Sequence, residues 1–183
     1  MRRLNALITA GSMLLFLAHM IWGILGLAGF VKGGNVFFSI LSYVMLTLVA
    51  THVVISVKLS IDTVIASKRS GVSYIKANRL FWIRRISGMA LMVFMLMHIL
   101  IFSGKNVGGV FLLNTFDMLA LMTQIFMVLS LIVHLLCNIT PLRIALGIED
   151  KAGIRVDVML VLAVLLLISA AAFVIYYIRW RMV

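Results

Sequence analysis

Four histidines, His19, His52, His98 and His134, each lie alone in a separate hydrophobic stretch of the chain, and a fifth stretch has none. An ionisable side chain is costly in such surroundings and usually functional. Imidazole nitrogen is a ligand for transition metals and for haem iron. A lone histidine between apolar helices is often only a hydrogen-bonding group. Four of them, one per successive stretch, point to bound metal cofactors. The single cysteine, Cys137, permits no intramolecular disulfide. With no Cys-x-x-Cys-His motif, covalent c-type haem and a cysteine-held iron–sulfur cluster within this chain are excluded, and Cys137 reads as a small buried apolar residue.

The elements that must position these histidines follow from composition. Of 183 residues, 64% are hydrophobic and 11% charged, where a soluble domain would have about half and a quarter. Apolar runs at about 5–30, 36–57, 84–103, 111–140 and 157–178 predict an all-α integral membrane protein of five transmembrane helices in one domain, 1–183. The first run is too long for a signal-peptide core. The outer links, 31–35 and 103–109, are short and glycine-containing. The largest connection, 58–82, is partly amphipathic at Ile61, Val64 and Ile65 and carries a turn signal at Ser70–Gly71. Pro141 is expected to close or kink the fourth helix at its inner end.

The net charge of +11 could suggest nucleic acid, but the placement of the charges makes it a topology signal. Arg2, Arg3, Lys58, Lys68, Arg69, Lys76, Arg79, Arg84, Arg85, Arg143, Lys151 and Arg155 share one side, and only Lys32, Lys105, Arg179 and Arg181 lie on the other. That asymmetry predicts the N-terminus inside and the C-terminus outside. Anionic lipid or an acidic docking partner is a secondary reading.

Depth sorts the histidines. At 1.5 Å per residue, His19 lies about 24 Å from Arg3 and His98 about 20 Å from Arg85, whereas His52 is about 9 Å from Lys58 and His134 about 13 Å from Arg143. His19 and His98 form an outer pair, His52 and His134 an inner one. In an up-down-up-down bundle formed by the first four helices, one faces three and two faces four across the diagonals. A diagonal of roughly 12–14 Å admits a flat macrocycle with one imidazole on each side of its iron. A mononuclear zinc site would instead need three or four converging ligands. Gly11, Ser12, Gly23, Gly26, Ser87, Gly88 and Ala90 could provide room for a porphyrin, or could be ordinary small-residue helix contacts. A weak repeat relates Arg-Arg-Leu before His19 to Arg-Arg-Ile before His98.

Three stretches carry a resemblance: Arg3-Leu up to His19, Trp82-Ile-Arg-Arg-Ile-Ser-Gly up to His98, and His134-Leu-Leu-Cys-Asn-Ile-Thr-Pro-Leu-Arg-Ile-Ala-Leu-Gly. With histidines in the first four helices only, the chain resembles the single-subunit, five-helix, di-haem cytochrome b anchor of succinate dehydrogenases and quinol:fumarate reductases, over nearly its whole length. The outer loops are shorter than in that family. The resemblance implies two bis-histidine b haems, a prokaryotic cytoplasmic membrane, and a flavoprotein and an iron–sulfur subunit on the cytoplasmic face. Electrons would pass between quinone, with menaquinone expected, and the succinate/fumarate couple. A dimer of the whole complex is compatible with it.

Other residues have two readings each. Asn5, Trp82, Arg85 and Arg143 lie on the inner side, where they could hold haem propionates or anchor the membrane interface. The resemblance favours Arg85. Asp117 and Gln124, seven residues apart, share a helix face near the outer boundary. Asp117 is a candidate proton acceptor at a quinol site, with Gln124 or Asn114 as neighbour, or else a helix cap. The thirteen methionines read as apolar filling. Asp62, Glu149, Asp150 and Asp157 are expected at the inner water boundary. Alternatives to the main reading are the cytochrome b anchor of a nitrate reductase, formate dehydrogenase or hydrogenase, and a haem-free transporter or scaffold with a histidine proton relay.

Overall fold

The computed structural model describes residues 1–32, 34–69, 78–107, 110–112, 115–148 and 152–182, without the side chains of 105–107, 110–112, 152, 154 and 155. Five helices dominate: α1 Arg2–Ala28, α2 Val36–Arg69, α3 Arg79–Phe102, α4 Met118–Leu146 and α5 Ala152–Arg181. All five are long and apolar enough to cross a membrane. They are hydrophobic around their whole circumference rather than along one stripe, and large side chains such as Leu14, Leu100, Leu119 and Leu167 point outward. Between α3 and α4, strands β1 Lys105–Val107 and β2 Val110–Leu112 pair antiparallel, with Lys105 opposite Leu112.

The boundaries differ from the apolar runs for local reasons. Helix α2 continues to Arg69, past the expected end at 57, because no glycine or proline interrupts 58–69. The hydroxyls of Ser60 and Thr63 donate to carbonyls one turn back, Ser56 O and Leu59 O. Asn78 caps α3, its side-chain oxygen accepting from Phe81 N. Helix α4 begins at 118 rather than 111, because 110–112 are spent on the hairpin and Asp117 forms the N-cap. Ser70–Gly71, Lys76, Asn114, Glu149, Asp150 and Lys151 lie outside the described residues.

Pro141 does not close α4. The helix runs on to Leu146 and ends at Gly147 (φ 75°), where Ile148 N–H donates to Arg143 O and Gly147 N–H to Ile144 O. This is a Schellman arrangement that uses the left-handed freedom of glycine. A proline inside a helix deprives the carbonyl four residues earlier of its donor. Here that carbonyl belongs to Cys137, and Arg84 Nε from α3 donates to it at 2.8 Å. A neighbouring helix thus repairs the break, as apolar surroundings require.

Helix α1 packs on α2, α4 and α5; α4 packs on α3 and α5; α2 and α3 are not among the closely packed pairs. The first four helices therefore enclose a bundle that is tight on three sides and wider between α2 and α3. Helix α1 faces α3 across it, and α2 faces α4. Helix α5 lies outside, along the α1–α4 edge. The core is made there and near the hairpin end, by Met20, Phe116, Ala120, Leu121, Val128, Leu166 and Phe173. At the end of α1, the Arg179 guanidinium of α5 lies against Gly29, where a Cβ would collide with it, and reaches towards Leu27 O. A cation at the carbonyl end of α1 interacts favourably with its dipole.

The Arg84–Cys137 contact is testable by a double-mutant cycle. Arg84→Ala should cost about 1–3 kcal/mol by stranding the Cys137 carbonyl. In a Pro141→Ala background, where the backbone N–H is restored, the same change should cost less than about half of that. Denaturant unfolding in detergent measures both; equal costs in the two backgrounds would refute the repair.

Candidate metal centre

Each of the four histidines is half-buried, and each is gripped at Nδ1 by a polar side chain of a neighbouring helix. In the pair nearer the hairpin, which the charge asymmetry leads one to expect on the outer side, Ser42 Oγ of α2 lies 2.8 Å from His19 Nδ1, and Gln124 Oε1 of α4 lies 2.7 Å from His98 Nδ1. In the other pair, expected on the inner side, Thr9 Oγ1 of α1 lies 2.8 Å from His52 Nδ1, and Ser87 Oγ of α3 lies 3.2 Å from His134 Nδ1.

The direction of these hydrogen bonds follows from the rest of the network. The Ser42 hydroxyl donates to Phe38 O, Thr9 to Asn5 O and Ser87 to Arg84 O. Each hydroxyl proton is thereby committed to its own helix, so its lone pairs accept from the imidazole. The Gln124 oxygen has no proton to give, and its amide is oriented by Nε2 donating to Thr123 Oγ1 at 3.2 Å. All four rings therefore donate from Nδ1, which in a neutral imidazole leaves the lone pair on Nε2. A metal-ligating histidine is held in the same way, its other ring nitrogen donating to an acceptor that fixes its tautomer and orientation.

The rings are also grouped. His19 and His98 approach with ring centroids 6.1 Å apart and planes at 75°. His52 and His134 are close enough to act on one another electrostatically, and Arg85 acts on both. Among the described residues no three His, Cys, Asp or Glu side chains converge; the histidines come in twos. Two metal–nitrogen bonds of about 2 Å plus the ring radii would separate two imidazole centres by roughly 6 Å. The outer pair already has that spacing.

Room beside the rings comes from glycine. A Cβ on Gly88 would lie 3.2 Å from His134 Cε1, so any side chain there would press the ring back by a few tenths of an ångström. Gly23, one turn beyond His19 on the same face, has nothing within 4 Å of its Cβ position. Gly11 and Gly26 are in ordinary contact with Leu48 and Val31. Helix α5 carries no histidine but places Phe173 beside His98, at 6.3 Å, while Phe102 lies 4.9 Å away on the same ring.

The other sequence-derived residues are distributed as follows. Asn5 joins the inner group: its Nδ2 donates to Ser56 Oγ, which contacts His52 Nε2 at 3.5 Å, and its Oδ1 is buried with no hydrogen-bond partner among the described residues. Trp82 Nε1 is likewise a buried donor with no hydrogen-bond partner among the described residues. Arg85 lies over the Phe81 ring at 4.9 Å. Arg143 sits in the last turn of α4. Asp117 is exposed and accepts from Ala120 N at 2.8 Å as the N-cap. Gln124 is fully buried, and its carbonyl oxygen is engaged by His98. Asp62 and Asp157 are exposed on α2 and α5. Sequence reading missed Thr9 and Ser42 altogether. The signal available for them was a hydroxyl residue within an otherwise apolar span, which alone does not name its partner.

Nitrogen-15 spectra of histidine-labelled protein in bilayers, without added cofactor, should show all four rings as the Nδ1–H tautomer. Ser42→Ala should release His19 alone into a mixture. A mixture at all four rings in the unaltered chain would overturn the assignment.

Compared with models of known protein families, with curated proteins and with solved structures, the chain gives no significant match.

Proposed function

We propose that this protein is a di-haem cytochrome b that carries electrons within a membrane, as the anchor subunit of a quinone-linked succinate dehydrogenase or fumarate reductase. The observation that carries the reading is the four-fold Nδ1 anchoring, which turns the four Nε2 atoms, in two pairs, to ligand use, with only the 3.5 Å contact of Ser56 Oγ against that of His52 among the described residues. His19 and His98 would hold one iron and His52 and His134 the other. Two low-spin b haems, when bound, supply one-electron transfer between a quinone in the membrane and a partner at the inner face.

The residues present fit such groups. The 6.1 Å spacing of the outer rings matches coordination from both sides. Trp82 Nε1 is a buried hydrogen-bond donor with no acceptor among the described residues. Exchanging oxygen and nitrogen of the Asn5 amide turns its partnerless atom into a second donor while keeping the Ser56 bond. Together with the positive charge of Arg85 near both inner rings, these suit the carboxylates of a propionate-bearing macrocycle. Arg143 remains a candidate partner at the same end.

The charge asymmetry supports an orientation with the N-terminus, the α2 extension and the α4–α5 connection on the cytoplasmic side of a prokaryotic inner membrane. There Lys58, Lys68 and Arg69 form a basic face suited to docking an iron–sulfur subunit that is itself bound to a flavoprotein. At the opposite end, Asp117 is exposed beside the outer pair's helices and is positioned to take a proton from a quinol, expected to be menaquinol. Gln124 is spent on His98 and does not join it.

A reduced-minus-oxidised visible spectrum of the purified protein tests the reading. It should show the α-band of low-spin b haem at two haems per chain; no such band removes the proposal and the other cytochrome b readings with it. His98→Ala and His134→Ala should each lower the haem content from two to one. Asp117→Asn should slow quinol oxidation by roughly 10²-fold or more, the usual scale for a general base, with both haems retained. An unchanged rate would relieve Asp117 of that role.

A further inference from the structure

Three of the four anchoring groups are hydroxyls at 2.8–3.2 Å; the fourth is the amide carbonyl of Gln124, at 2.7 Å from His98 Nδ1. Gln124 is one of the two most deeply buried large side chains described, with no exposed surface at all. Its surroundings are apolar: Ala120, Leu121 and Val128 of the same helix are buried, and Phe102 and Phe173 flank His98. A fully desolvated amide in such a place is retained at a cost unless both its ends are used. Both are: Oε1 accepts from His98, and Nε2 donates to Thr123 Oγ1, whose own proton goes to Ala120 O at 2.7 Å. The result is a rigid chain from the α4 backbone through Thr123 and Gln124 to one imidazole.

We infer that Gln124 is a positioning residue that sets the redox midpoint of the outer haem without touching the iron. The inference rests on the di-haem reading above. An acceptor on Nδ1–H raises the basicity of Nε2. An amide carbonyl is a stronger acceptor than a hydroxyl, its own N–H donation to Thr123 polarises it further, and a dry environment strengthens the bond. A more basic ligand favours the ferric over the ferrous ion and so lowers the midpoint. Phe102 and Phe173 offer no competing acceptor, so the effect on His98 is carried by Gln124. The inner pair is anchored by Thr9 and Ser87 and makes no hydrogen bond to Gln124 among the described residues.

The experiment is a spectroelectrochemical titration of the purified haem-loaded protein. The outer couple is identified as the one lost in His98→Ala. Gln124→Met keeps length and volume but removes the acceptor. It should raise the outer midpoint, changing the ferric-to-ferrous ratio at fixed potential about tenfold, or about 59 mV for one electron, with the inner couple unmoved. Thr123→Val, which frees the amide to turn, should move the same couple in the same direction by less, and it carries the test where Gln124→Met does not assemble. An outer couple unmoved in the titrated variant, or both couples shifting together, overturns the inference. Failure of the unaltered protein to show b haem at all is a different result, and refutes the cytochrome reading on which it stands.

Discussion

A polar atom placed among five apolar helices has no water to turn to, so it must find its partner inside the protein or remain at a cost of several kcal/mol. This requirement governs the bundle more than any single packing contact. It sends Arg84 across to the Cys137 carbonyl that Pro141 leaves without a donor. It turns the serine and threonine hydroxyls back onto carbonyls of their own helices. Once those protons are committed, the same hydroxyls can only accept, and the histidines facing them can only donate from Nδ1. Backbone satisfaction and the chemical state of the four rings are thus one problem with one solution.

That solution also explains the division of labour among the helices. Helices α1 to α4 each bring one histidine and each bring one anchor, exchanged between α1 and α2 and between α3 and α4. These are the two tightest helix pairs, and the exchange ties each pair at two depths. Helix α5 brings neither, yet it buries Phe173 and Leu166 against the others and backs the outer ring. No anchoring bond crosses the α1–α4 side or the α2–α3 side, and of these two only α1–α4 is closely packed. A large planar group between the diagonal helices would enter by the α2–α3 side with the least disruption.

Much of this was legible from composition and spacing. Five apolar runs announced five helices, and depth counted from charged boundaries put His19 level with His98. The errors fall where a local signal competes with a neighbour. The amphipathic stretch after Lys58 is helical because nothing in it breaks a helix. The apolar residues 110–112 are strand rather than helix because a hairpin claims them. Pro141 continues its helix because an arginine from another helix takes the abandoned carbonyl. Gln124 shares a face with Asp117, which suggested a common role near the outer boundary, yet it is pointed at His98 in the core.

By itself the sequence determined the apolar spans, the side on which basic residues gather, and the presence of one histidine per helix, because hydrophobic length and charge are properties of a segment alone. Tertiary structure decided which nitrogen of each ring carries the proton, which hydroxyl or amide holds it, and that two rings stand 6.1 Å apart. A hydrogen bond has two ends on different helices, and only the packing of those helices settles which ends meet.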